Sequence, residues 1–181
     1  LIKNHGGIPA SNFLMQEVYT ERSFMEAWNA IRLAVIMRKG TILCGNILSH
    51  ASKGGADPGL EFHAGDTLEN DTTPTTLDRS ELEKLSVLPW EPNDGLLVLS
   101  GCNTGLMKER GWAPAQVLAR KQKVPTVGQS GYAYFSREKD YYREWGSDAA
   151  NVYLWAYERG RNTGTLGIGS GKRMDPVRYT P

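Results

Sequence analysis

Two residues in this chain have the chemistry of a nucleophile and its base. Cys102 carries a thiol and His50 an imidazole. Each follows closely on a short apolar run, Thr41 to Leu48 (TILCGNIL) before Ser49-His50 and Leu96 to Leu99 (LLVL) before Ser100-Gly101-Cys102. The thiolate is the nucleophilic form of a cysteine, and an imidazole within reach favours it by taking the proton. The same imidazole can return that proton to a leaving amine. Gly101 precedes the thiol and Gly105 follows shortly after Asn103 and Thr104. Small neighbours let a carbonyl approach the sulfur and free the backbone to aim N–H groups at it. Taken singly, each residue has a plainer reading, Cys102 as an inert core thiol and His50 as a hydrogen-bonded loop histidine. The pair, each at its own strand end, points to acyl-transfer chemistry.

The elements that must position this pair are strands. Both apolar runs read as buried strands of the continuous kind a parallel sheet uses. Functional groups gather at the carboxyl ends of strands in open α/β sheets. If the two strands are neighbours, His50 and Cys102 meet at one edge of the sheet. Around them, Asn12 to Val18 reads as a first strand. Phe24 to Arg38 carries Phe24, Trp28, Ile31, Ala34 and Val35 at helical spacing, a core face. Ser23 and Glu26 make a capping box before it, and Gly40 ends it. Leu60 to Phe62 is a brief extended piece, and Ala64 to Thr75 a polar surface loop. Thr76 to Leu85 reads as a helix with Leu77, Leu82 and Leu85 on one face, capped in its later part by Ser80. Pro114 to Lys121 is a helix with proline in its first turn. Val124 to Val127 is a third strand that runs into Gly128-Gln129-Ser130-Gly131-Tyr132. Tyr141, Tyr142, Trp145, Val152, Tyr153, Trp155 and Tyr157 predict an aromatic helical region that stops at Gly160. Residues 161 to 181, with Pro176 and Pro181, read as an irregular tail. Strands alternating with helices make the class α/β with a mostly parallel sheet. The length of 181 residues suits one domain, 1–181.

Composition excludes several functions. Lys plus Arg is 21 and Asp plus Glu is 20, and a net charge of +1 gives no reason to expect nucleic acid or an anionic membrane surface. No apolar run approaches the roughly 20 residues of a membrane span, and no basic-then-apolar signal pattern opens the chain. It does not begin with Met, so it reads as a processed product or an excised domain, part of a larger polypeptide or complex. Two cysteines, Cys44 and Cys102, make no disulfide framework, and no zinc-ligand spacing occurs, so neither metal nor cofactor is expected. Cys44 lies mid-strand and reads as a core residue. A nucleophilic thiol must stay reduced, which favours a cytoplasmic setting; a secreted toxin or effector is the alternative. Gly128 to Tyr132 lacks the last glycine of a serine nucleophile elbow. Gly169-Ser170-Gly171-Lys172 lacks a phosphate loop's first glycine, where Leu166 stands, and its Ser/Thr, where Arg173 stands.

The segments ILSHASKGG, LEF, TLDRSELEKL, LLVLSGCNTG and APAQVLARKQKVPTVGQSGYAYFS, within residues 41 to 136, resemble the caspase-like cysteine peptidases. The closest likeness is to the CHAT branch, which shares its fold with caspases, clostripain, gingipain and separase. Its pattern is a strand ending in His-Gly, a short strand, a leucine-bearing helix and a strand ending in a Leu-Ser-Ala-Cys-like motif. Ala51 stands here in place of the glycine after the histidine, and Gly101 in place of the alanine before the cysteine. The resemblance implies a three-layer sandwich, a mostly parallel central sheet flanked by helices. It implies a cysteine endopeptidase in which the Cys102 thiolate attacks the scissile carbonyl and forms a thioester. His50 protonates the leaving amine and then activates water. The backbone N–H groups of Cys102 and Ala51 would hold the oxyanion. The pocket for the residue before the scissile bond would lie between the Cys loop and the next strand, at Gly101, Gln129, Ser130 and Tyr132. Asp57, Glu61 and Asp66 could reach in from the His loop. An acidic group there would favour Lys or Arg and a basic one Asp. The implied partner is a protein or peptide substrate. A catalytically inactive binding module, or another acyl hydrolase or transferase on the same dyad, are the alternatives.

Overall fold

The computed structural model describes residues 9–51, 59–62, 76–107, 111–136, 153–159 and 170–181. Asp57, Asp66, the Ala64–Thr75 loop, and Tyr141, Tyr142, Trp145 and Val152 lie outside them.

After a short 3-10 turn at Ala10–Asn12, the first α-helix is α1, Glu21–Met37. Its cap is Thr20, three residues before the expected Ser23. The Thr20 side chain accepts from the Ser23 N–H at 3.1 Å, and Ser23 Oγ accepts from the Thr20 N–H at 2.9 Å. A serine hydroxyl thus serves at the third helical position where a glutamate was expected. Glu26 pairs instead with Arg22, one turn back, at 2.9 Å. The helix stops before Gly40, because Lys39 itself takes the left-handed turn at φ 52°. The expected strand at Asn12 to Val18 does not form. Leu14 and Met15 are exposed there, so its apolar residues have no sheet to pack on.

Four strands make the central sheet: β1 (Cys44–Ile47), β5 (Leu96–Leu99), β6 (Thr126–Gly128) and β10 (Val177–Tyr179), adjacent in that order. The first three are parallel, and β10 is antiparallel to β6. The protein is therefore mixed α/β with a mixed central sheet. The tail expected to be irregular supplies its antiparallel edge strand. Its Val177 and Tyr179 lie half-buried either side of exposed Arg178, a period of two. At the opposite edge, β1 is not the buried strand its apolar run predicted. Cys44 is exposed, as are the flanking Leu43 and Leu48. An apolar run is buried only where neighbours cover it, and β1 pairs within this sheet on the β5 side alone.

A second, small sheet joins β2 (His50–Ala51), β3 (Leu60–Glu61) and β4 (Thr76–Leu77) in antiparallel order. Thr76 and Leu77 are therefore strand and not helix, and helix α2 begins later, at Arg79–Lys84. Asp78, not Ser80, caps α2: its carboxylate accepts from the Glu81 N–H at 3.0 Å, while Glu81 Oε2 accepts from the Asp78 N–H at 2.7 Å. That backbone donor holds the Asp78 carboxyl below its ordinary value. A lowered carboxyl contributes stability above the ordinary carboxylate range and loses it as pH falls through the lowered value. Asp78→Ala is expected to cost about 1 kcal/mol of unfolding free energy near neutral pH, a typical N-cap effect. In urea titrations the gap between variant and wild type should close as the pH is taken down through the acid range.

Helix α3, Pro114–Gln122, starts with Pro114 as expected and ends on Lys123 at φ 55°. Val117 and Leu118 meet Leu97 and Leu99 of β5 in the core, with Leu60, Leu77, Leu82, Leu85, Phe24 and Trp28. Buried Gln122 ties this core together. Its carbonyl accepts from the Leu88 N–H at 3.0 Å, and its amide donates to the Ser86 carbonyl, which Trp28 Nε1 also reaches.

The third sheet joins β7 (Tyr132–Ser136), β8 (Tyr153–Arg159) and β9 (Ser170–Arg173), all antiparallel. Tyr153, Trp155 and Tyr157 thus lie on a strand, not on the expected aromatic helix. Odd-numbered aromatics fit a period of two, and aromatic residues favour strands. No helix among the described residues is long and apolar enough to cross a membrane.

Candidate active site

The strands that precede His50 and Cys102 are neighbours. β1 and β5 pair in parallel with Ile47 opposite Leu99, and the Ser100 N–H donates to the Ile47 carbonyl at 2.9 Å. The two chains stay in contact past the strand ends. A Cβ built on Gly101 would stand 2.5 Å from the Ser49 carbonyl oxygen. Only glycine admits that approach, so the backbones next to His50 and Cys102 touch at the residue before each. Ser49 Oγ is buried in this region without a hydrogen-bond partner among the described residues, so its hydroxyl does not hold the contact together. Ser100 Oγ does, donating to Asn46 Oδ1 at 2.8 Å.

After Gly101 the chain turns sharply at Asn103, whose φ is 55°. Asparagine tolerates this left-handed conformation better than most residues. The turn leaves Cys102 half-buried. Its Sγ accepts from the Ala133 N–H at 3.3 Å. Ala133 is a residue sequence reasoning missed, because a backbone donor from a later strand has no sequence signature. Cys102 N–H meets no backbone acceptor among the described residues.

The Cys loop is tied down along its length to the segment that follows β6. The Asn103 N–H donates to the Gly131 carbonyl at 2.8 Å and the Gly105 N–H to the Gln129 carbonyl at 2.8 Å. Thr104 is fully buried at the centre. Its Oγ1 donates to the Gly101 carbonyl at 2.9 Å and accepts from the Gln129 N–H at 3.0 Å. Gly105 and Gly128 press together, with Gly128 O 2.6 Å from where a Gly105 Cβ would be. Tyr179 of β10 reaches across to donate its hydroxyl to the Gly105 carbonyl at 2.8 Å. Thr104 and Tyr179 were also missed, the second because the tail was read as irregular.

Thr104→Val keeps the shape of the side chain and removes its hydroxyl. It leaves the buried Gln129 N–H without an acceptor, which costs about 1–3 kcal/mol. A lower denaturation midpoint is expected together with slower alkylation of Cys102 by iodoacetamide. Thr104→Ser should restore both. Equal alkylation rates in all three chains would show that the loop holds Cys102 without Thr104.

The remaining expected site residues fall as follows. Gly101 and Gln129 are buried. Gln129 meets the Cys loop through its backbone. Ser130 turns its hydroxyl onto the Asp175 carbonyl of the tail, so that hydroxyl is already engaged. Tyr132 is half-buried at the start of β7, opposite Tyr157. His50 is exposed and opens β2, where it pairs with Glu61. Ala51 is buried and pairs with Leu60. The structure thus brings the Cys loop and the Gln129–Tyr132 segment side by side and pairs β1, which precedes Ser49-His50, with β5, which precedes the Cys loop. Asp57 is among the residues not described. No cluster of three or more potential metal ligands occurs among the described residues.

Comparison of the chain with known protein families, with curated proteins and with solved structures finds no match in any of the three.

Proposed function

We propose that this protein is a cysteine endopeptidase of the caspase-like type, similar to the CHAT branch, acting through Cys102 and His50. The observation that supports the reading is the close approach of Gly101 to the Ser49 carbonyl, a backbone contact one residue before Cys102 and one before His50. A thiol and an imidazole in that relation are the parts nucleophilic acyl transfer needs. The three-layer sandwich belongs to this proposal as its finer claim.

In the proposed reaction the Cys102 thiolate attacks the scissile carbonyl carbon and the carbonyl electron pair moves to oxygen. In this scheme the Cys102 N–H, which has no backbone acceptor among the described residues, donates to that oxyanion. The Ala51 amide is the second donor in this scheme. Collapse breaks the C–N bond, and the imidazolium gives its proton to the leaving amine. Water, deprotonated by His50, then releases the acyl group from the thioester.

An extended substrate has a surface to lie on. Ala133 turns its N–H away from β8 and toward Cys102. Backbone groups alternate along a strand of an antiparallel pair, so Phe135 presents its own in the same direction. A peptide could pair with this edge of β7 while its carbonyl reaches the sulfur.

A peptide-library cleavage screen on the wild-type chain, with Cys102→Ala as control, tests the proposal. Cleavage by the wild type alone, with a defined residue preference, supports it. Binding of peptides without cleavage by either chain would favour an inactive binding module, and turnover of small thioesters or esters alone would favour another acyl hydrolase.

A further inference from the structure

Tyr179 is on the antiparallel edge strand β10, where it pairs with Thr126 of β6. Thr126 pairs in turn with Leu97 of β5. Partners in register share a face of the sheet. Tyr179 therefore points to the side on which Leu97 and Thr126 are buried, and it packs against the core there. From that face its hydroxyl donates to the Gly105 carbonyl at 2.8 Å. Gly105 lies against Gly128, two residues beyond Thr126. Two residues of strand rise about 6.6 Å, a span that a tyrosine bridges with its ring and that serine or threonine would not reach. Desolvation pushes the Tyr179 hydroxyl up from its ordinary value, so it stays a donor through the neutral range. The segment before β10 is anchored nearby. The Met174 N–H donates to the Ala156 carbonyl at 2.9 Å, and the Asp175 carbonyl accepts from Ser130 Oγ.

Gly105 closes the turn that carries Cys102. Within that turn the Leu106 N–H donates to the Asn103 carbonyl at 3.1 Å, and the Ala115 N–H, at the start of α3, donates to the Thr104 carbonyl at 3.0 Å. These ties, like those of the Asn103 and Gly105 N–H groups to Gly131 and Gln129, run from backbone to backbone. Among the described residues, the hydroxyls of Thr104 and Tyr179 are the side-chain ties on the backbone of the turn. Thr104 stands inside the turn, whereas Tyr179 holds it from a strand 74 residues further along the chain. We infer that Tyr179 is a positioning residue for Cys102: its hydroxyl fixes the Gly105 peptide, and with it the turn that sets the sulfur against the Ala133 N–H. The inference rests on the peptidase reading above for its catalytic meaning but not for its geometry. Tyr179 gives up no proton and touches no substrate. Without its hydroxyl the Gly105 carbonyl loses its donor among the described residues, and the peptide plane is freer to rotate. The Cys102 N–H, assigned above to the oxyanion, moves with the same turn. The placing of the nucleophile is thus conditional on the docking of β10.

Tyr179→Phe tests this, because it keeps the ring and its packing and removes only the donor. The first measurement is amide hydrogen exchange at Ala133, which reports the contact with the sulfur and needs no activity. In the chain with Cys102, Tyr179→Phe should speed that exchange by about two- to tenfold, the equilibrium weight of one hydrogen bond. In the Cys102→Ala chain, where the Ala133 N–H has lost its acceptor, the same substitution should change nothing. The second measurement is turnover: Tyr179→Phe should lower kcat by about ten- to a hundredfold, the scale of a displaced catalytic group, with KM nearly unchanged. Identical Ala133 exchange with and without the hydroxyl would overturn the inference. So would equal acceleration in the Cys102 and Cys102→Ala chains, which would make Tyr179 an anchor of the sheet and nothing more. An unchanged kcat in an enzyme whose Ala133 exchange has risen would overturn it as well. If the wild type cleaves nothing but the exchange depends on Tyr179 only when Cys102 is present, the positioning stands and the peptidase reading is what fails.

Discussion

Cys102→Ala is expected to abolish peptide cleavage, with a loss of at least about 10⁴ relative to wild type, the scale on which removal of a nucleophile is felt. The same change should abolish covalent labelling by a peptidyl chloromethyl ketone. The second cysteine makes this a sharp test. Cys44 is exposed, on the edge strand β1, so access alone would let the reagent reach it. Among the described residues it lacks the surroundings of Cys102: a backbone N–H on the sulfur, and a loop in contact with the residue before a histidine. Although Cys44 is exposed as a residue, partial desolvation of its sulfur pushes the thiol up from its ordinary value, which leaves less thiolate at neutral pH. Mass spectrometry of the labelled chain should therefore find the adduct on Cys102 and little on Cys44. Equal labelling of the two, or full cleavage by Cys102→Ala, would sink the assignment of the nucleophile.

Gly101→Ala should produce the second largest effect, and it tests the contact between the strand ends and not either reactive group. The added methyl would stand 2.5 Å from the Ser49 carbonyl oxygen and 3.2 Å from the Thr104 methyl. No rotamer relieves a clash with backbone, so the Cys loop and the His50 strand must separate. A shift of about 1 Å in a catalytic constellation can cost about 10² in rate. We expect kcat/KM to fall by about that factor. Overpacking of this kind also costs about 1–3 kcal/mol of stability, which a denaturant titration would read. Loss of activity in a chain that stays folded is the informative result. An active Gly101→Ala enzyme would mean that the two strand ends need not touch, and the proposed dyad would lose its main support.

Some of this was legible in the sequence for a plain reason. Strand β5 was readable because LLVL is apolar on both faces and bounded by Gly95 and Gly101, signals that sit within a few residues of one another. The start of α3 was readable from Pro114, whose missing N–H suits a first turn. The place of Cys102, shortly after β5, was readable for the same reason; His50 follows β1 but opens a strand of its own, β2. Helix caps were less secure. Thr20 and Ser23 lie three apart, and so do Ser23 and Glu26; the spacing alone allows two boxes, and the backbone at Thr20 decided between them.

What failed, failed at long range. The run Thr41 to Leu48 is as apolar as a buried strand, yet β1 is the exposed edge of the sheet, since burial depends on which strands flank it. Tyr153 to Arg159 has an aromatic pattern that suits a strand as well as a helix, and pairing with β7 settled it. Val177 to Tyr179 is too short to signal anything until β6, some fifty residues earlier in the chain, offers it an edge.

The sequence by itself determined that a thiol and an imidazole each follow a short apolar run in an α/β chain, because residue identity and local patterning are properties of short segments. Only the tertiary structure decided that those strands are neighbours in parallel register, that Gly101 rests on Ser49, that Ala133 aims its N–H at Cys102, and that Glu61 stands across from His50. Each of these is a contact between segments whose separation along the chain carries no energy of its own, and whose pairing is chosen by the burial and hydrogen bonding of the whole fold.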